Sequence, residues 1–432
     1  MLFQDRVDVT FGDMLDNIPL PEMYRIRQTF NAECIEGITG ETRRQMEALF
    51  HGRRETVNGK RIAVTVGSRG IRHNTEIMRA VIASLREFGA EPFLVPSMGS
   101  HGGATVEGQL ALLHHLGVDG EALDCSIVAS MDARSIGELA DGTPLYFAAD
   151  ALDADGIFVV NKIKPHADFK GEHESGLVKM LVIGLGKHKG CSSLHTLGFA
   201  AFPAVLPQAA SVILQRANVV GALGIVENAY DDIMVLEGVL PEDIIRRDRE
   251  LLVIAKENIA RLKTGELDVL IVDEIGKNIS GEGMDPNVTG RPGSYLNQGF
   301  EHTRIGSIIV RDVTEQSGGN GAGIGMADIT TVACVRKLDL AAMYTNSITA
   351  GILGPSRLPV VLNNDLQAIK TGIRIAAPRR LDSVRLARIK NTLLLEEIHV
   401  SRALMEELRN RDDVQVLGRA DLNFDDNGFI TR

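Results

Sequence analysis

Arg61–Gly89 reads RIAVTVGSRGIRHNTEIMRAVIASLREFG. Its opening, RIAVTVGS, is apolar and β-branched, which marks a buried strand. The period then changes. Ile77, Val81, Ile82, Leu85 and Phe88 recur at helical spacing, and Gly89 supplies the stop. Strand, turn and helix form the first part of a βαβ unit, and the alternation continues. EPFLVPSMG (91–99) is the next strand, TVEGQLALLHHLG (105–117) the next helix, and GIFVVNKI (156–163) another strand of the buried type. The pattern predicts an α/β fold of Rossmann-like, mainly parallel sheets with flanking helices. In such sheets ligands sit beyond the carboxyl ends of the strands.

Further on, the charged helix PEDIIRRDRELLVIAKENIARLKTG ends at Gly265, and LDVLIVDEIG opens a new strand. This predicts two domains with a cleft between them. Residues 1–264 would form an N-terminal domain, and 265–405 a C-terminal α/β domain. Residues 406–432 form a tail expected to pack back on the first domain. The second region carries the glycine-rich loops SGEGMDPNVTGRPGS and SGGNGAGIGMAD, and KNTLLLEEIHVSRALMEELRN reads as helical.

The 432 residues are 44% hydrophobic and 24% charged, with no tryptophan, so the core should be aliphatic. A net charge of −11 argues against a nucleic-acid surface. The cysteines Cys34, Cys125, Cys191 and Cys334 are dispersed, which suggests neither a zinc ribbon nor a disulfide framework. The N-terminus is acidic and has no apolar signal core. The apolar stretch GFAAFPAVLPQAASVIL is broken by Pro203, Pro207 and Gln208. A cytoplasmic protein without a membrane partner is expected. GLGKHKG lacks the P-loop spacing, GNGAGIG lacks Rossmann context, and no GxSxG elbow is present.

Four stretches follow strands or close on them. In GSRGIRHNT, Arg69 sits where a guanidinium can grip a carboxylate or phosphate. In MGSHGGAT, His101 is flanked by glycines that let backbone approach a ligand. In NKIKPHADFKGEHESG, His166 follows Pro165, with Lys162, Lys164 and Lys170 adding positive charge and His173 competing for any role. In SGLVKMLVIGLGKHKG, Lys179 sits within an apolar run, where a lysine must find a partner or lose its proton. The continuation KHKGCSSLH adds His188 and His195, either of which could bind a metal. For any one of these residues taken alone, a structural role remains the simpler reading.

Together, Arg69, His101 in GSHGG, His166 in KPHAD, Lys179 in SGLVKMLVIGLG and His195 in SSLH resemble, in order and spacing, the lactate racemase family. Its members use a nickel-pincer nucleotide, pyridinium-3-thioamide-5-thiocarboxylic acid mononucleotide. The likeness covers mainly the first half of the chain. It implies an isomerase: a racemase or epimerase that inverts C2 of a 2-hydroxy acid by hydride transfer to and from the cofactor. It implies that Lys179 holds the cofactor covalently and that His195, with His188 as the alternative, ligates nickel. His101 and His166 would be the acid/base pair and Arg69 the carboxylate anchor. The implied partners are a small 2-hydroxy acid and the cofactor-synthesis enzymes, with the oligomeric state left open.

The chain departs from the family where the second domain supplies tyrosine, glutamine and lysine. Here GMDPNVTGRPGS offers Met284, Asp285 and Asn287, then Thr289, Gly290 and Gly293, with Arg291 as the substitute substrate-binding cation. Glycine also replaces the arginine after the first histidine. Both departures point away from lactate toward a larger, more polar 2-hydroxy acid. Two other readings stand beside this one: a zinc-type metallohydrolase using His166, His173, His188 and His195, and a non-catalytic binding protein of the same fold.

Overall fold

The computed structural model describes residues 13–377 and 381–431. Its strands in chain order are β1 (Met23–Gln28), β2 (Arg61–Val66), β3 (Glu91–Pro96), β4 (Ala133–Glu138), β5 (Pro144–Ala148), β6 (Gly156–Lys162), β7 (Val219–Glu227) and β8 (Ile233–Val239). Then follow β9 (Glu266–Val272), β10 (Arg304–Val310), β11 (Ile329–Thr331), β12 (Val360–Leu362), β13 (Leu386–Ile389), β14 (Glu397–Ser401) and β15 (Val414–Arg419). Contacts divide the chain into two compact units. One is Asn31–Ile259; the other joins the described residues up to Phe30 with those from Ala260 onward.

The Asn31–Ile259 unit holds a five-stranded sheet in the order β3-β2-β6-β7-β8. The first four strands are parallel and β8 returns antiparallel beside β7. Every residue of β7 is buried, as is every residue of β2 after Arg61. Burial on both faces explains why these strands read as continuous apolar runs rather than alternating ones. The helix Asn74–Glu87 buries Ile77, Val81, Ile82 and Leu85, four of the five residues that set its period; Phe88 caps its end and is partly buried. Gly89 follows it at φ +89°, where a Cβ would lie 2.1 Å from Asn58 Oδ1. Phe158 on β6 is fully buried, its ring 6.0 Å from that of Phe50.

The other unit holds an eight-stranded sheet in the order β12-β11-β10-β9-β13-β14-β1-β15. The strands from β12 to β13 are parallel; β14, β1 and β15 join by antiparallel pairing. Mainly parallel α/β sheets with flanking helices are therefore the observed class. Three expectations change. The first strand does not stay with the residue 1–264 domain, because β1 hydrogen-bonds to β14 on one side and β15 on the other. By the same pairing, the 406–432 tail places β15 in this unit. The segment expected to be helical throughout from Lys390 contains β14; only Arg402–Leu408 is helix. The alternation of buried Ile398 and Val400 with outward Glu397 and His399 suits a strand, and its neighbours β13 and β1 supply the hydrogen bonds.

Among the described residues no single helix is long and apolar enough to cross a membrane. The stretch from Gly198 divides into a turn at Phe199–Ala201 and the helix Phe202–Arg216, whose Phe202, Leu206, Ala209, Ala210 and Ile213 are buried.

Phe158→Ala should lower the unfolding free energy of the Asn31–Ile259 unit by about 3–5 kcal/mol, the usual cost of emptying a phenylalanine site. Denaturant titration followed by circular dichroism measures it.

Candidate active site

The loops after β2, β3 and β6 leave one edge of the sheet, because the strands are parallel neighbours in the order β3-β2-β6. After β2 come Ser68 and Arg69, after β3 His101, after β6 His166. Strand order thus sets the Arg69 loop between the loops of the two histidines. Lys162 braces it, donating to the Gly70 carbonyl at 2.9 Å and pairing with Glu227 at 2.5 Å. The Arg72 main-chain N–H donates to the other oxygen of Glu227 at 2.8 Å. Arg69 itself is exposed.

His101 is exposed too, with Nδ1 2.5 Å from Ser68 Oγ. Its loop is fastened from below. The Gly99 N–H donates to the Gly184 carbonyl at 3.1 Å, and Gln109 donates to the Gly99 carbonyl at 3.2 Å. The fully buried Lys187 donates to the Pro96 carbonyl at 2.8 Å. Burial draws the Lys187 amine down to about 8, against the opposing charge of Asp150.

His166 lies on an excursion from β6 that closes by main-chain bonds between Lys164 and Ser175. The centre of this excursion is the Glu174 carboxylate, wholly enclosed. It accepts from the main-chain N–H of His166 at 2.6 Å and of Gly171 at 3.1 Å. It also pairs with Lys256 at 2.6 Å and Lys170 at 3.3 Å. A second buried carboxylate, Asp248, pairs with His173 Nδ1 at 2.8 Å and accepts from the Val178 N–H at 3.3 Å. This is why residue 176 is glycine: a Cβ there would stand 2.1 Å from Asp248 Oδ1.

Asp248 thereby seats the short helix Leu177–Lys179. Leu177, Val178, Met180 and Leu181 turn into the core and leave Lys179 partly buried, its Nζ 2.5 Å from His166 Nε2. Burial lowers the lysine to about 8; Asp168 opposes the shift and the Arg69 charge adds to it. Burial also holds His166 well below its ordinary range, reinforced by the charges of Lys179, Lys170, Lys164 and Arg69.

His195 ends the helix Lys187–His195. Its Nδ1 lies 2.7 Å from the Cys191 carbonyl, a bond that requires hydrogen on Nδ1 and leaves the lone pair on Nε2. Histidines that ligate metals are oriented in this way. The rings of His166 and His195 both stand against Phe199, at 6.0 and 5.4 Å, in a wall completed by Phe169 and Phe202. His188 is exposed. His173 is committed to Asp248. Among the described residues no three or more His, Cys, Asp or Glu gather in a metal-holding group. Arg291 belongs to the other unit, where it pairs with Asp328 at 2.6 Å and donates to the carbonyls of Ile305 and Met326.

Sequence reading missed Ser68, Glu174, Asp248 and the phenylalanine wall. Glu174 stood in the quoted GEHESG, but the lysine that completes its pairing, Lys256, is distant in sequence.

No protein-family model matches the chain, and no curated protein matches it. Among solved structures, the lactate racemase apoprotein from Thermoanaerobacterium thermosaccharolyticum is similar, with a TM-score of 0.51 at 15% identity over 85% of this chain and 94% of that one. The chain has the lactate racemase fold. A structural-genomics crystal structure from Thermotoga maritima aligns over 74% of this chain and 84% of its own, with a TM-score of 0.45 and 13% identity.

Asp248→Ala should cost about 3–5 kcal/mol of unfolding free energy, since it strips a buried partner from His173 and from the Val178 N–H; chemical denaturation measures this. Arg69→Gln removes a positive charge that disfavours the ammonium form, so the Lys179 midpoint should rise above about 8. Competitive amine labelling against pH, read by peptide mass spectrometry, checks the direction.

Proposed function

We propose that the chain is a racemase or epimerase that inverts C2 of a 2-hydroxy acid with a nickel-pincer nucleotide as its cofactor. One observation carries the reading: within this fold, Lys179 is an amine whose pKa burial draws down to about 8, set beside His166 at a sheet's carboxyl edge. A neutral amine is what covalent attachment needs. His195, with its lone pair on Nε2, suits a metal whose other donors come from the cofactor. The cofactor, when bound, would supply a reversible hydride acceptor.

The protein's own residues do the rest. Lys179 would tether the cofactor and His195 would ligate its nickel. Arg69 would grip the substrate carboxylate, its guanidinium matched to two oxygens. His101 and His166, in loops on either side of Arg69, would each take or return the hydroxyl proton for one enantiomer. Ser68 would orient the His101 ring through Nδ1. The departures around residues 284–293 favour a larger, more polar acid than lactate.

A zinc hydrolase is the weaker reading, because two of its four histidines are committed elsewhere: His173 to Asp248 and His188 to the exposed surface.

Protein made together with the cofactor-synthesis enzymes should show a covalent mass increment that Lys179→Ala abolishes. His195→Ala should keep the organic adduct and lose nickel by metal analysis. Replacing either His101 or His166 by Ala should slow racemisation of a responsive 2-hydroxy acid on the order of 10²- to 10⁴-fold. An adduct that persists on Lys179→Ala overturns the assignment.

A further inference from the structure

The His166–Lys179 contact contains an assignment of protons. The Asp168 main-chain N–H donates to His166 Nδ1 at 3.0 Å. A ring nitrogen that accepts carries no hydrogen, so the single hydrogen of the neutral imidazole sits on Nε2. Nε2 is the atom that meets Lys179 Nζ at 2.5 Å. An ammonium has no lone pair to receive that hydrogen, whereas a neutral amine has one.

We propose that His166 primes Lys179 for acylation: in the protein without bound cofactor, its Nε2–H donates to the lysine lone pair and favours the neutral amine over the ammonium. The neighbouring charges are mixed. Arg69, Lys164, Lys170 and Lys179 all oppose a proton on His166, while the Asp168 carboxylate, 3.8 Å from Nδ1, favours one. Around Lys179, Arg69 and Lys164 oppose the ammonium, while Asp168 and Cys191 favour it. Glu174 and Asp248 fix the two main-chain segments that bring the nitrogens together. Once the lone pair is drawn into an amide-type bond it no longer accepts, and Nε2–H turns to other acceptors, a substrate oxygen among them. His166 thus has one task before cofactor attachment and another afterwards. The priming role rests on the cofactor attachment proposed above, but the pair itself belongs to the protein alone and is tested without it.

The probe is acetic anhydride, applied to protein purified without the cofactor-synthesis enzymes. The amine nitrogen attacks one anhydride carbonyl; an N–C bond forms, a C–O bond breaks, acetate leaves, and the surplus proton on nitrogen goes to solvent. Labelling of Lys179 is followed against pH by peptide mass spectrometry. His166→Phe keeps an aromatic ring against Phe169, 4.4 Å from the native imidazole, but has no N–H to donate. Its Lys179 midpoint should rise by about half a unit or more, roughly a threefold loss of labelling rate near neutral pH. A midpoint that stays or falls overturns the proposal, because a histidine that accepted from an ammonium would give a fall when removed.

Should the variant fail to fold, isotope-labelled nitrogen NMR of the native protein decides. Hydrogen on His166 Nε2 with a bare Nδ1 supports the pair, and the opposite tautomer overturns it. Neither measurement involves racemisation. A protein that never racemises can still show the pair, and one that racemises while showing the other tautomer loses this inference alone.

Discussion

An ammonium group enclosed by aliphatic side chains is costly, because a low-dielectric surrounding cannot repay the lost hydration. Lys179 meets that constraint, and the site is arranged around the answer. The chain does not surround the nitrogen with carboxylates that would hold it charged. Glu174 and Asp248, the buried carboxylates of this region, are spent on main-chain N–H groups, on His173 and on other lysines. What meets Lys179 Nζ is an imidazole, while the Asp168 charge favours the ammonium and the Arg69 charge opposes it. The carboxylates that are fully enclosed here support geometry.

The fold was legible where period and burial coincide. In Arg61–Gly89 the change from a continuous apolar run to helical spacing is local, and four of the five residues that set the helix period are buried in it, with Phe88 partly buried at its end. The grouping of the candidate residues was legible for a related reason: Arg69, His101 and His166 follow strands of one parallel sheet, and parallel strands put all such loops on one edge. Lys179 showed itself by contrast with its neighbours.

What stayed hidden depends on pairing across the chain. Nothing local to Met23–Gln28 announces that its partners are β14 and β15, some four hundred residues away for the Met23–Ser401 and Tyr24–Arg419 pairs. Leu393–Leu395 and the following segment offer helical and extended readings alike, and only the hydrogen bonds offered by β13 and β1 favour the strand. Arg291 had the composition of an anion site, yet Asp328 and nearby carbonyls hold it. Asp248 looked like one more charge on a charged helix until His173 was found against it.

The position of β1 bears on how the chain comes to be folded as it is made. The Asn31–Ile259 unit is continuous in sequence, so everything it needs has been synthesised once its last helix has emerged. The other unit is split around it. Its strand β1 leaves the ribosome well before either of its neighbours, which follow only after the whole Asn31–Ile259 unit. Through that interval the strand carries main-chain donors and acceptors with no native partner, alternating Ile26 with Arg25 and Arg27 along its length. Flanking charge of this kind discourages a waiting strand from pairing with the wrong edge. The arginines of β1 thereby guard an interval of synthesis as well as a finished sheet.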